Sequence, residues 1–267
     1  LGVFPENNER INRQRRLPIT VIVGNPPYSH KQGNSNDDNA NEKYPALDLA
    51  IRETFGAQSQ AKNKNALYDS YIRAFKWASL RLGDAGLIAL VTSSGWLDGK
   101  TADGMRKALA QEFSSIIVFD LRGNQKAADW RAEGGKVFGG GSQSGVAITL
   151  LVKGGSTPGQ GLRIRRVKDG LSREEKLALV RESAQVSRVD PISVFPNEYG
   201  DWLSVRSSSF ETFAPISEAG GIFDALVNGL GTSRDAWVYA SSAIELTANM
   251  TRSRFTYLDA LTGARSL

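Results

Sequence analysis

The chain has 267 residues, no cysteine, one histidine and a formal net charge of +5. That length allows one to two domains, and 40% hydrophobic residues is enough for a packed core, which excludes wholesale disorder. Without cysteine there are no disulfide scaffolds, thiol nucleophiles or thiolate metal sites, and any histidine-dependent chemistry has to use His30.

In chain order, residues 1–18 are polar, rich in Arg and Asn, and read as an irregular lead-in. Ile19–Gly24 is a short β-branched run that suits a strand buried on both faces, and it ends abruptly in Asn25-Pro26-Pro27-Tyr28. Residues 29–42 form a polar loop whose Asn/Asp cluster lacks calcium-loop spacing. Helical spacing over 66–82 places Leu67, Tyr71, Phe75, Ala78 and Leu82 on one face. Gly83, Asp84 and Gly86 break it before a second strand at 87–92. Asp98 is a candidate cap for a helix carrying Met105, Leu109 and Phe113.

A third strand is expected at 116–121 and a fourth at 146–152, with a glycine-rich loop between them and a helix at Arg173–Glu182 afterwards. The alternation of strands and helices predicts an α/β fold with a parallel sheet. From Asp190 onward Pro, Gly and Ser alternate with scattered aromatics, no long periodic helix is expected, and a boundary falls near 190–215. The longest apolar runs are far shorter than the about 20 residues of a membrane helix, and no signal-peptide pattern opens the chain, so a cytoplasmic protein with no membrane partner is expected.

Charge is uneven. Residues 162–188 hold eight basic side chains (Arg163, Arg165, Arg166, Lys168, Arg173, Lys176, Arg181, Arg188) against four acidic ones. Such a cluster is either a solvated face or a polyanion contact. Two glycine motifs fail on inspection. Ser94 stands where a phosphate loop ending in Gly99-Lys100-Thr101 needs its first glycine, and Ser144 occupies the third glycine position of a dinucleotide fingerprint begun at Gly139.

The chemistry concentrates at Asn25-Pro26-Pro27-Tyr28. A strand ending there places four rigidified residues at its carboxyl end, where open α/β sheets bind ligands. Two prolines remove two backbone donors, leaving the Asn25 side-chain oxygen and the Pro26 carbonyl as acceptors for one exocyclic amino group. Tyr28 offers a flat face for stacking on a planar ring. The plain alternative is a Pro-Pro turn with Tyr28 as packing.

This segment resembles the catalytic motif of amino-methyltransferases that use S-adenosylmethionine, above all N6-adenine DNA methyltransferases. Residues 67–78 (LYDSYIRAFKWA), 94–99 (SGWLDG), 119–124 (FDLRGN) and 137–148 (VFGGGSQSGVAI) are similar to one subgroup, the methyltransferase part of single-polypeptide, type I-like (type ISP) restriction–modification enzymes. The likeness resumes at 232–239 (TSRDAWVY), which is similar to the start of their target-recognition region.

The resemblance implies a partial Rossmann-like methyltransferase sheet, its C-terminal half, followed by the start of a DNA target-recognition domain. In residue terms these are a lead-in at 1–18, the catalytic half at 19–190, and a linker with the beginning of target recognition at 191–267. It also implies that Asn25, Pro26, Pro27 and Tyr28 hold a flipped-out adenine, with S-adenosylmethionine as cofactor and double-stranded DNA as partner. Nuclease and ATPase parts are implied for the rest of a parent polypeptide. Arg122, Arg131, Arg163, Arg165, Arg166 and Arg234 are the candidates for phosphate contacts.

Such enzymes carry a glycine-rich cofactor loop upstream of the motif strand. None of the 24 residues before Asn25 matches one, so the chain is expected to be an excerpt and its cofactor-binding residues are not assigned. Two further readings stay open: a protein-glutamine or RNA amino-methyltransferase, and a non-catalytic DNA-binding fragment.

Overall fold

The computed structural model describes residues 5–27, 44–139, 143–155, 161–183, 190–203, 209, 212–214, 222 and 239–264. The chain divides into two compact units, Leu1–Val205 and Arg206–Leu267. In the first unit the elements run α1 (Pro5–Arg16), β1 (Ile19–Gly24), α2 (Pro45–Ile51), α3 (Ser70–Arg81), β2 (Leu82–Ser93), α4 (Asp103–Glu112), β3 (Ser115–Asp120), α5 (Trp130–Glu133), β4 (Val146–Lys153), β5 (Gly161–Arg166), α6 (Arg173–Glu182) and β6 (Ile192–Ser193). The second unit holds α7, Ala243–Ala264.

The sheet order is β1-β2-β4-β3-β5-β6. β1 and β2 pair in parallel, as do β3 and β5, while β4 is antiparallel to both β2 and β3. Four of the six strands run the same way, as a mainly parallel sheet requires, while β4 and the short β6 are reversed. A return from β3 to its neighbour β4 by a loop without a full crossover helix forces the chain to reverse direction. Near the start of β2 the register with β1 shifts between Ile19 and Val21. Gly86 makes this possible, because a Cβ there would lie 2.4 Å from the Thr20 carbonyl oxygen.

Alternation along the strands sorts the core into two clusters. Ile88 and Leu90 on β2, Ile116 and Val118 on β3, and Ala147 and Leu151 on β4 face α3 and α4, where Phe75, Met105, Leu109 and Phe113 close the larger cluster. Phe119, Leu121, Val137, Val146 and Val167 form the smaller one, under Leu177, Leu179 and Val180 of α6. Val21 and Val23, paired with Leu87 and Ala89, remain 58% and 77% exposed on the same side of the sheet. β1 is thus a half-bare edge strand among the described residues.

Several elements depart from the sequence reading. The lead-in is helical: Pro5 opens α1, Glu6 lies in its first turn and Arg13, Arg15 and Arg16 in its last, the charge arrangement that complements a helix dipole. β5 hides in the basic run, where Leu162 and Ile164 are buried and alternate with Arg163 and Arg165. Asp98 does not cap α4, which starts at Asp103 after a 3-10 turn at Lys100–Ala102.

Last, a 22-residue helix does follow Asp190. Good helix formers such as Ala, Leu, Glu, Met and Arg carry α7 with no internal proline, whereas its apolar residues Ile244, Phe255 and Tyr257 are exposed and give no single stripe. No helix among the described residues is long and apolar enough to cross a membrane.

Candidate active site at the carboxyl ends of the strands

Asn25, Pro26 and Pro27 leave the carboxyl end of β1, one residue beyond the Gly24–Leu90 pairing with β2. Asn25 and Pro27 are exposed and Pro26 is half-buried. Tyr28 and His30 lie outside the described residues.

The neighbouring strand ends complete the rim. The Ser94 N–H donates to the Gly145 carbonyl at 2.9 Å, tying the end of β2 to the start of β4. Leu121 N–H donates to Val146 O at 2.9 Å, and Val146 N–H to Arg122 O at 3.0 Å, tying the end of β3 to the same point. Val167 N–H donates to Asp120 O at 3.0 Å, joining β5 to β3. Beneath the end of β2, the buried Tyr71 hydroxyl bonds Ser93; burial first, then Asp69, push its phenol far up, so it stays protonated as a fixed hydrogen-bonding group.

A charged network lies at the ends of β3 and β5. Asp120, fully buried, accepts the Arg122 N–H at 2.9 Å and pairs with Arg166 Nε at 2.9 Å. Burial raises its carboxyl above the usual carboxylate range, opposed by that N–H and by Arg166. Asp98 is raised by burial as well, with Arg166 opposing. Arg122 adopts φ 56°, a left-handed conformation that a non-glycine residue holds only when its surroundings over-determine it. Here they do, because its guanidinium pairs with Glu133 at 3.3 Å and with Asp169.

Glu133 also accepts the Asn124 N–H at 3.0 Å. From α6, Lys176 is 0% exposed and donates to the carbonyls of Glu133 at 2.8 Å and Gly135 at 2.6 Å. Burial lowers its ammonium, and Glu133 opposes. Gly134, at φ 69°, and Gly135 pass so close to residues 170–173 that neither tolerates a Cβ. The loop after β3 is thus held against the start of α6 by buried hydrogen bonds.

The six arginines expected at phosphates do not form one patch. Arg122 and Arg166 sit on the rim with carboxylate partners. Arg163 and Arg165 lie half-buried on the face of the sheet that carries Ile117 and Phe119, Arg165 over the Phe119 ring at 5.6 Å. Arg131 is exposed on the rim loop, stacked over Trp130 at 4.9 Å, and Arg234 lies outside the described residues. Sequence reasoning missed Asp120, Glu133 and Lys176. The one available signal was a carboxylate closing an apolar strand at Asp120.

A second buried cation anchors the far side of the β2 turn. Arg106, on α4, donates to Trp96 O at 2.8 Å, Gly99 O at 2.9 Å and Gly200 O at 2.7 Å, and pairs with Asp201 at 3.5 Å. Trp96 packs edge-on between Phe75 and Trp202. The turn at 94–99 is therefore rigid. No group of three or more His, Asp or Glu side chains arranged to hold a metal occurs among the described residues.

Residues 5–127 match the Eco57I restriction-modification methylase family. No curated protein matches the chain. A nuclease-deletion mutant of the type ISP restriction-modification enzyme LlaGI, solved in complex with a DNA substrate mimic, is 38% identical over 91% of this chain and 20% of that one, with a TM-score of 0.79. The ATP-dependent type ISP restriction-modification enzyme LlaBIII, bound to DNA, is 34% identical over 94% of this chain and 17% of that one, at a TM-score of 0.78. The DrdV–DNA complex is 32% identical over 93% and 25%, at 0.77. The chain thus spans about a fifth of the length of these solved chains. Residues 5–127 therefore match the Eco57I restriction-modification methylase family, and nearly the whole chain is similar in sequence and fold to a segment of type ISP restriction-modification enzymes.

Proposed function

We propose that this chain is the base-holding part of a DNA methyltransferase that modifies adenine at N6 within a restriction–modification enzyme. The observation that carries the reading is Asn25-Pro26-Pro27 on the open rim, directly after a sheet strand and with no proline N–H to compete for the acceptors. The 38% identity to an enzyme solved with a DNA substrate mimic supports duplex DNA as the substrate.

The Asn25 side-chain oxygen and the Pro26 carbonyl accept both hydrogens of the adenine amino group. That turns the nitrogen lone pair out of conjugation and toward the methyl donor, and Tyr28 stacks on the extruded base. S-Adenosylmethionine supplies the methyl group. The described residues contain no glycine-rich turn that fits this cofactor, and the half-bare β1 with exposed Val21 and Val23 is the edge against which we place the remaining strands of the sheet, where the cofactor would be held. Residues 191–267 begin the target-recognition region, and Arg131 is the foremost candidate for a backbone phosphate because Arg122 and Arg166 already face carboxylates. A DNA substrate supports a cytoplasmic localisation.

The test is methyl incorporation from labelled S-adenosylmethionine by the full polypeptide into duplex DNA, RNA and protein. Duplex DNA is the expected acceptor. Asn25→Ala should lower the rate by roughly a hundredfold, the usual scale for losing one hydrogen-bonding group that acts on the transition state. Parental methylation by that variant refutes the role of Asn25, and preferential labelling of RNA or protein refutes the substrate.

A further inference from the structure

Trp130 is half exposed, at 49%, although its chain position is firmly held. It opens the short helix α5, where Asp129 accepts the Ala132 N–H at 3.3 Å. Three residues later Glu133 is buried beneath Arg122 and the Asn124 N–H, and Lys176 binds its carbonyl. Gly135 N–H donates to Leu171 O at 2.8 Å. The indole is thus presented outward by a rigid support. Arg131, itself exposed, places its guanidinium 4.9 Å from the indole centroid.

The loop leaves the carboxyl end of β3 and returns at the start of β4, on the same rim as Asn25. Strands are spaced about 4.8 Å apart, so the three steps from β1 to β3 put the root of this loop about 14 Å across the rim from Asn25. That is comparable with the about 12 Å width of a DNA major groove. Asn25 and the root of the Trp130 loop thus share one rim at a separation that a single duplex can span.

We propose that Trp130 and Arg131 form a second DNA contact, in which the indole packs against a base or sugar beside the extruded nucleotide and the guanidinium meets the adjoining phosphate. An aromatic face stacks on any base, so the contact is independent of sequence, and the neighbouring arginine adds charge where the backbone passes. The inference rests on the reading of the chain as a DNA methyltransferase. It goes beyond that reading by assigning a binding element that is not part of the base pocket.

The two contributions separate by salt dependence. Binding of the full polypeptide to a fluorescently labelled mixed-sequence duplex is measured across a salt series for Trp130→Ala, Trp130→Phe, Arg131→Ala and, as a control exposed elsewhere on α3, Trp77→Phe. Trp130→Ala should bind about tenfold more weakly with an unchanged salt slope, and Trp130→Phe should bind close to the parent, because stacking is apolar and carries no counterion release. Arg131→Ala should lower the slope of log K against log salt by about one. Trp77→Phe should match the parent.

Parental affinity in Trp130→Ala, from a polypeptide that still methylates DNA, overturns this inference alone. A parental polypeptide that neither binds nor methylates duplex DNA overturns the methyltransferase reading and this inference with it.

Discussion

Two loops on one rim are made rigid in different ways. After β1, the chain is stiffened by covalent structure, since Pro26 and Pro27 fix their own φ angles without a partner. After β3, the chain is held by tertiary contacts: Asp120, Glu133 and Asp169 converge on Arg122, Arg166 pairs with Asp120, and Lys176 holds the carbonyls of Glu133 and Gly135. The first device leaves Asn25 and Pro27 exposed on the rim. The second consumes its polar groups in the support and leaves Trp130 and Arg131 outward. The rim therefore has one side stiffened by Pro26 and Pro27 next to Asn25, and one held by tertiary contacts that exposes Trp130 and Arg131.

The contrast is broken or sharpened by stability measurements. The largest effect should come from Lys176→Ala, which empties a fully buried volume and strips two carbonyls of their donor; a loss of about 3–5 kcal/mol in denaturant unfolding is expected, with faster amide exchange across 123–136. A loss below about 1 kcal/mol would mean that the loop is not held from α6. Ser172→Ala removes the capping box in which Ser172 and Glu175 bond each other's backbone N–H, and should cost about 1 kcal/mol by the same assay.

Pro27→Ala should cost only about 0.4–1 kcal/mol, because its effect is on the freedom of the unfolded chain and not on native contacts. If it cost as much as Lys176→Ala, the contrast between the two loops would disappear.

Asp120→Asn tests the sign of the buried charge. Burial raises this carboxyl in the folded state, so the folded protein takes up its proton more readily than the unfolded chain. Its contribution to stability is then least favourable at neutral pH and improves as pH falls through the raised value. An amide keeps the oxygen that accepts the Arg122 N–H and removes the charge, so the variant should gain less than about 1 kcal/mol at pH 7, and the gain should vanish as the parent becomes protonated. A loss of more than about 2 kcal/mol at pH 7 would show instead that the ion pair with Arg166 outweighs burial.

Much of the fold was legible from periodicity. Met105 and Leu109 on α4 and Phe113 just after it are fully buried as their spacing requires, and α6 runs over Arg173–Glu182 as expected. Elements whose apolar signal is diluted were not legible. β5 reads as a charge run because every second residue is arginine, and α7 reads as irregular because its apolar residues stay exposed. The carboxylate partners of Arg122 were not legible for a related reason. Whether a cation faces phosphate or carboxylate depends on what lies opposite, and Glu133 and Asp169 reach it only through the loop.

The sequence by itself determined the strand that ends in Asn25-Pro26-Pro27 and the family resemblance around it, because proline geometry and strand periodicity are local properties. The tertiary structure alone decided that β4 runs against its neighbours, that Lys176 reaches across to hold the loop after β3, and that Trp130 is left outward on the same rim as Asn25. Those outcomes depend on contacts between residues distant in the chain, for which no local pattern exists.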